Sequence, residues 1–334
     1  MLKSLTTTLL KNRPLKLSVT ALSLSVAALA PQIAAAETFP DRPVSMVVSY
    51  SPGGATDFQA RIVTMLAANE KYLGQPMVIL NKPGAGGKIG WDAFASKAKN
   101  NGYELAAYNV PHFIAQSIVF KTKYNINNLE PVANWGADPA VLIVGKDSPF
   151  NTLQDLLDYA KDNPAKVTFS GAGLYVGHHI AFLQLAKASG LKLTYVPHKG
   201  GTPAMKSVMG GQVKAGFNNL SDAFRNQDRV KILAVADLQR NEKFLPNVPT
   251  FKEQGLDIDD SSVNFRGIMA PKGTSPEVLD YLAKRVPTMF EDAKTLKKMD
   301  SAGSPVRVIP RDEVISMWKE REAYLKDLLA DLKK

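Results

Sequence analysis

The apolar positions along this chain change period repeatedly. Short runs rich in β-branched residues alternate with segments whose apolar positions recur every three or four residues. That alternation predicts α/β architecture with largely parallel sheets. VSMVVSY (44–50) reads as a buried first strand and SPGG (51–54) as a sharp turn, after which Ile62, Met65 and Leu66 recur at helical spacing across 56–68. Residues 77–80 predict a second strand, PGAGG (83–87) a second glycine turn, 93–98 a helix and 104–108 a third strand. A second series begins near Ala140, with strands over 141–144, 167–169, 193–196, 215–217 and 232–235 and helices over 179–188 and 202–209. Thr152 is placed to cap a further helix, with Asp155 at the third position reaching back to the free amides of the first turn. Another strand follows over 267–270, and the tail from 276 to 334 predicts mainly helix. There is no repeat and no low-complexity linker, so the pattern suits two lobes joined by more than one crossing of the chain.

The first 36 residues follow a different logic. Lys3, Lys11, Arg13 and Lys16 precede an apolar run of about 14 residues, and Ala34, Ala35 and Ala36 supply small residues behind Pro31. This is the order of a cleavable secretory signal, and the run falls short of the roughly 20 residues that span a bilayer. Cleavage near Ala36 leaves about 298 residues, enough for two medium domains, and lowers the net charge from +10 to about +6. The remaining charge is scattered, without an Arg-rich run or a basic strip interleaved with aromatics, so nucleic acid is excluded as a partner. The surplus favours anionic solutes. With no cysteine, the chain has neither disulfides nor a lipidated anchor. A free exported protein of this kind is expected in a Gram-negative periplasm.

Two strand–glycine–helix junctions carry the candidate chemistry: SPGGATD (51–57) and SGAG (170–173). Glycine lets the backbone approach a ligand, and the following helix offers unpaired N–H groups at the positive end of its dipole. Such a junction favours an anion without a lysine or arginine. Ser51, Thr56 and Ser170 add hydroxyl donors. Neither junction matches a phosphate loop or a dinucleotide fingerprint, so ATP and NAD are poor candidates. Asp57 sits in a first helical turn with Arg61 four residues on, a spacing that suits a carboxylate stiffening its own loop. The four histidines, His112, His178, His179 and His198, show no metal-ligand spacing, and no GxSxG accompanies Ser51, His179 and Asp57. No zinc, cofactor or enzymatic activity is therefore expected.

At SPGGATDFQAR the chain resembles a known family, and the likeness continues through LGQPMVILNKPGAGGKIGWDAFA, YVPHKGGTPAMKSVMGGQV, LAVADLQRNEKFLPNVPTFKEQG and FRGIMAPKGTSPEVLDYLAKRV. It is similar, from about residue 40 to 286, to the solute-binding component of tripartite tricarboxylate transporters, the Bug family. The resemblance implies a two-lobed type II periplasmic-binding-protein fold, with mixed sheets flanked by helices and a ligand cleft between the lobes. It places lobe one at 37–139 plus 266–334 and lobe two at 140–265. It also implies a monomer that captures a small organic carboxylate, a tri- or dicarboxylate or an aromatic acid, for large and small membrane subunits; a periplasmic sensory receptor is the alternative. The site expected from it comprises Tyr50, Ser51, Gly54, Ala55, Thr56, Asp57, Asn109 and His112 of lobe one. Ser170, Gly171, Ala172, Gly173, His179, Gly200, Gly201, Thr202, Phe217, Asn218 and Asn219 face them, with Arg266 at the second crossing. His179 matches a family histidine, although capping or packing its own helix is its commoner use. The chain departs from the family pattern at Lys214, at Asn218 and Asn219, at Leu174–Tyr175–Val176 and at Phe265–Arg266. These changes remove negative charge and add amide donors, which disfavours an amino-acid ligand.

Overall fold

This computed structural model describes residues 39–332. The leader expected over residues 1–36 lies outside the described residues.

The chain enters through β1 (Val44–Val48), α1 (Ala55–Val63), β2 (Met77–Asn81), α2 (Lys88–Lys97), β3 (Glu104–Val110), α3 (His112–Val119) and β4 (Leu129–Asp138). After Pro139 alone it starts a second sheet: β5 (Ala140–Gly145), α4 (Leu153–Asp162), β6 (Thr168–Gly171), α5 (Gly177–Ser189), β7 (Thr194–Pro197), α6 (Gly201–Met209), β8 (Ala215–Asn219), α7 (Leu220–Phe224) and β9 (Val230–Ala236). It returns with β10 (Asn264–Pro271) and ends in α8 (Pro276–Phe290), α9 (Ala293–Ser301), β11 (Val306–Pro310) and α10 (Arg311–Leu332).

The two sheets share a plan. The first has the order β11-β4-β10-β3-β1-β2 and the second β7-β6-β8-β5-β9. In the first, β1 runs parallel to β2 and β3, and β10 is antiparallel to β3 and β4. In the second, β6 runs parallel to β7 and β8, and β5 is antiparallel to β8 and β9. Both sheets are therefore mixed, where the local pattern predicted largely parallel ones. Apart from β11 in the tail, the strands that run against their neighbours, β5 and β10, are those that follow the crossings, because a chain leaving and re-entering a sheet need not make a right-handed βαβ connection.

Burial follows the strand period. Along β5, Leu142 and Val144 enter one apolar cluster and Val141 and Ile143 another, so both faces of the second sheet are covered. The first sheet packs around three buried tryptophans, Trp91, Trp135 and Trp318. The capping box expected at Thr152 forms: Thr152 Oγ1 accepts from the Asp155 amide, and the Asp155 carboxylate accepts from the Thr152 amide.

Four elements went unpredicted, the shortest being α7, a helix of five residues directly after β8. β4 contains Pro131, Asn134 and Gly136 and shows no clear alternation; its two antiparallel neighbours make it a strand. α3 is apolar on nearly every side, so it has no helical stripe to read. The tail is interrupted by β11, a short strand held by pairing with β4.

Candidate functional site

β1 and β6 are the central strands of the two parallel halves, and both end in the predicted glycine turns. Open α/β sheets bind ligands beyond the carboxyl ends of such strands. Here the two turns face each other. A narrow cavity lies between them, lined by Tyr50, Ser51, Gly54, Ala55, Thr56 and His112 from one side. Ala172, His178, Gly201 and Asn219 line it from the other, with Asn264 at the second crossing. It offers about 20 Å³ to the centre of a water-sized sphere, room for little more than one water.

Most of the free polar groups around this cavity are donors; the exception behind the wall is Asn109 Oδ1, a buried acceptor without a partner. Thr56 Oγ1 accepts from Asn109 Nδ2 at 2.9 Å and from Arg266 Nε at 3.2 Å. With both lone pairs occupied, its proton is left to donate. His178 Nδ1 accepts from the Ala172 amide at 3.1 Å, so in the neutral ring the proton sits on Nε2, which is buried and makes no well-formed hydrogen bond, only a weak interaction with Asn219 that opposes the effect of burial. His112 Nε2 faces Asn264 Nδ2 at 3.4 Å; with the amide donating, the ring proton sits on Nδ1, buried and unpartnered. Burial keeps both rings neutral: it pulls His178 down to about 4 and His112 well below its ordinary value, and the Arg266 charge adds to both effects. At the start of α1, the Ala55 amide donates to Asp222 of the opposite side at 3.2 Å. The next two amides, of Thr56 and Asp57, have no acceptor among the described residues. No carboxylate lines the cavity.

Behind this wall lies a fully buried ion pair. Arg266 Nη1 donates to Asp138 at 2.7 Å and to Gln59 Oε1 at 3.2 Å, and Nη2 donates to Asn219 Oδ1 at 2.7 Å. Asp138 also accepts from the Ser221 amide, the Ser221 hydroxyl and Gln59 Nε2. A register shift between Arg266 and Gly267 marks the strand where this side chain leaves it. Arg266 thus stands behind Thr56 and Asn219 and meets no open cavity.

Other expected residues also fall outside the cavity wall. Asp57 takes the Gly53 amide, Arg61 and Asn81 Nδ2; burial by itself would raise its pKa, but these partners hold the carboxyl below its ordinary value. It stiffens the loop, as its spacing predicted. Asn109 supports Thr56 from behind. Ser170 donates to the Ala204 carbonyl, and Asn218 to the Gly201 carbonyl. Phe217 is core, stacked on Phe169 with centroids 6.1 Å apart. A Cβ on Gly171 would strike the Tyr195 hydroxyl, and Gly200 abuts Ser51. His179 packs against Tyr175, Phe182 and Tyr195 and accepts from the Tyr175 amide, the packing role its helix predicted. Its neighbour His178, with Asn264, belongs to the wall instead. The only sequence signal for His178 was its place in the first turn after a glycine loop. Gly173 and Thr202 line a wider groove outside, which Ser51 shares with the cavity.

Among the described residues no helix is long and apolar enough to cross a membrane, and no cluster of His, Asp or Glu could hold a metal ion.

Two mixed sheets joined by two crossings, with strand ends facing across a donor-lined cavity, define a two-lobed periplasmic binding protein. The structure of the periplasmic binding protein BugD has a TM-score of 0.81 at 29% identity, covering 88% of this chain and 99% of that one. MatC from Rhodopseudomonas palustris with bound malate has a TM-score of 0.78 at 27% identity, covering 87% and 99%. The "UPF0065 protein in gbd 5'region" of Cupriavidus necator is 33% identical over 285 residues, 83% of this chain and 84% of that protein. The model of the tripartite tricarboxylate transporter family receptor matches residues 60–304. The chain belongs to that family of solute-binding receptors.

Proposed function

We propose that this protein captures a small organic carboxylate in the cavity between β1–α1 and β6–α5 and delivers it to the membrane subunits of a tripartite transporter. One observation carries the reading: the cavity wall offers Thr56, His112, His178 and the first α1 amides as donors, two of them neutral imidazoles, and no carboxylate lines it. An anion satisfies Thr56, His112, His178 and the α1 amides together, without the desolvation cost of meeting a buried ammonium. The cavity is too small for a carboxylate as it stands, so ligand entry requires the lobes to part and close again. The lobes would be residues 37–139 plus 266–334 and residues 140–265, with β10 pairing moving the second boundary to just before Asn264. Export to the periplasm, with cleavage near Ala36, belongs to the same reading, and no catalytic step does.

The test is calorimetric titration of the chain from residue 37 with di- and tricarboxylates, beside His178→Leu and His112→Leu. Each variant keeps volume and removes one donor to a charged group. We expect each to weaken the preferred acid by at least about tenfold, since such bonds are worth ~1.5–3 kcal/mol. Wild-type affinity in both variants, or no binding by any carboxylate, rejects the site.

A further inference from the structure

A second space also uses the first glycine turn. Gly53 closes a pocket of about 190 Å³ that is otherwise formed by the second lobe. Lys206 of α6, Arg225 at the end of α7 and Arg229 just before β9 line it. Asp222 is the one carboxylate on its wall, and that charge is already engaged. It accepts from the Ala55 amide at 3.2 Å and from Asn219 Nδ2 at 3.4 Å, and it pairs with Arg225. Arg225 lies over the Phe58 ring at 4.3 Å, and only its Nη2 reaches Asp222. Its Nη1 is buried without an acceptor, a costly state for a charged donor. Lys206 and Arg229 are exposed and have no carboxylate within ion-pairing distance among the described residues. Three cations thus share one pocket with a single counter-charge that is already satisfied.

We propose that this pocket is a second anion site, separate from the cavity between the glycine turns, and that it takes a compact divalent oxyanion of the phosphate or sulfate type. A tetrahedral dianion presents oxygens in four directions, so it can meet donors that arrive from α6, from α7 and from the turn after α7 together. A lone carboxylate offers two oxygens in one plane and suits a single guanidinium fork. The volume admits a tetrahedral oxyanion with part of its water shell. The assignment stands on these cations and on the unpaired arm of Arg225, and it does not depend on the carboxylate reading of the inner cavity.

Cations at these positions have an ordinary use as well. Lys206 lies in the last turn of α6 and Arg225 at the end of α7, where each offsets the carbonyl end of its helix. That use involves no bound anion. Calorimetric titration with inorganic phosphate, sulfate and chloride at constant ionic strength separates the two. Phosphate and sulfate should bind at least about tenfold more tightly than chloride. The double variant Lys206→Gln, Arg229→Gln, at two exposed positions, should weaken phosphate by about tenfold, the loss of two partly exposed pairs. Arg225→Lys keeps a cation beside Asp222 but removes the second arm of the fork, and it should weaken phosphate too. His178→Leu changes the inner cavity and should leave phosphate within about twofold of wild type. Equal responses to the three anions mean screening alone and overturn the site. Phosphate affinity unchanged in both the double variant and Arg225→Lys, or lost in His178→Leu, places the ion elsewhere and overturns it as well, as does the absence of phosphate and sulfate binding. Phosphate bound as expected by a protein that takes no carboxylate would reject the inner cavity and leave this pocket standing.

Discussion

A hydroxyl that already accepts two hydrogen bonds has one use left for its proton, and at Thr56 that use is the cavity. The sequence singled out Thr56 as a donor beside a helix start but could not show that Asn109 and Arg266 orient it. At the histidines the sequence pointed one residue away. Successive helical residues point about 100° apart, so His178 and His179 cannot share a role. One faces the cavity, and the other packs among Tyr175, Phe182 and Tyr195. Both rings are pulled by burial to about 4. A histidine whose folded value lies below its unfolded value of about 6.5 binds fewer protons in the folded state. Its contribution is therefore complete above pH ~6.5 and is lost as the pH falls toward 4. Each ring accounts for at most ~3 kcal/mol. Asp222, raised by burial against the pull of Arg225, contributes with the opposite sign, so the clean measurement is a difference. Melting temperatures from pH 7.5 to 4.5 should fall less steeply for His179→Phe than for wild type. Parallel curves would show that this ring titrates normally.

Among the elements, the glycine turns were the most legible, because glycine is favoured where φ is positive, as at Gly53 and Gly173. What the turns touch was not legible. Gly173 has a φ of 142°, and a Cβ there would lie 2.6 Å from the Gly86 Cα, so the second-lobe loop closes against the glycine turn before α2. Gln116 Nε2 spans the same contact, donating to the Ala85 and Leu174 carbonyls. Backbone cannot give way as a flexible side chain can. Gly173→Ala should therefore hold the lobes apart and weaken carboxylate binding by about tenfold or more, read by calorimetry. Wild-type affinity would show that this contact does not limit closure. β4 and β11 were illegible for a related reason: Pro131, Asn134 and Gly136 suit a strand only when pairing partners are already in place.

At the scale of the whole molecule, one buried pair organises both crossings. Asp138 ends β4 one residue before the first, and Arg266 lies in β10 just after the second. Through Gln59, Ser221 and Asn219 they tie α1 to the opposite lobe. Removing one member of a buried pair strands the other charge, so Arg266→Met should cost about 3–5 kcal/mol in urea denaturation. The double variant with Asp138→Leu should recover part of that loss; a single-variant cost below about 1 kcal/mol would remove the pair from this role. Ligand acts at the same scale. A carboxylate at 100 times its Kd should stabilise the fold by about 2.7 kcal/mol and contract the molecule in small-angle scattering. Stabilisation without contraction would mean that the free protein is already as closed as the complex.

The positions of most strands, the Thr152 cap and the two glycine turns were set by the sequence alone, because period, capping and positive φ are local properties of a few neighbouring residues, whereas exact ends were not: α2 starts at Lys88 rather than 93 and β10 at Asn264 rather than 267. The family resemblance added the two-lobed plan. Which polar atoms are left without partners was decided only by the tertiary structure. Satisfaction of a donor depends on atoms brought from more than a hundred residues away, as Arg266 is brought to Thr56 and Asp138. By the same folding, an arginine that charge alone would assign to the ligand is used at the crossings, and a histidine without a motif faces the cavity.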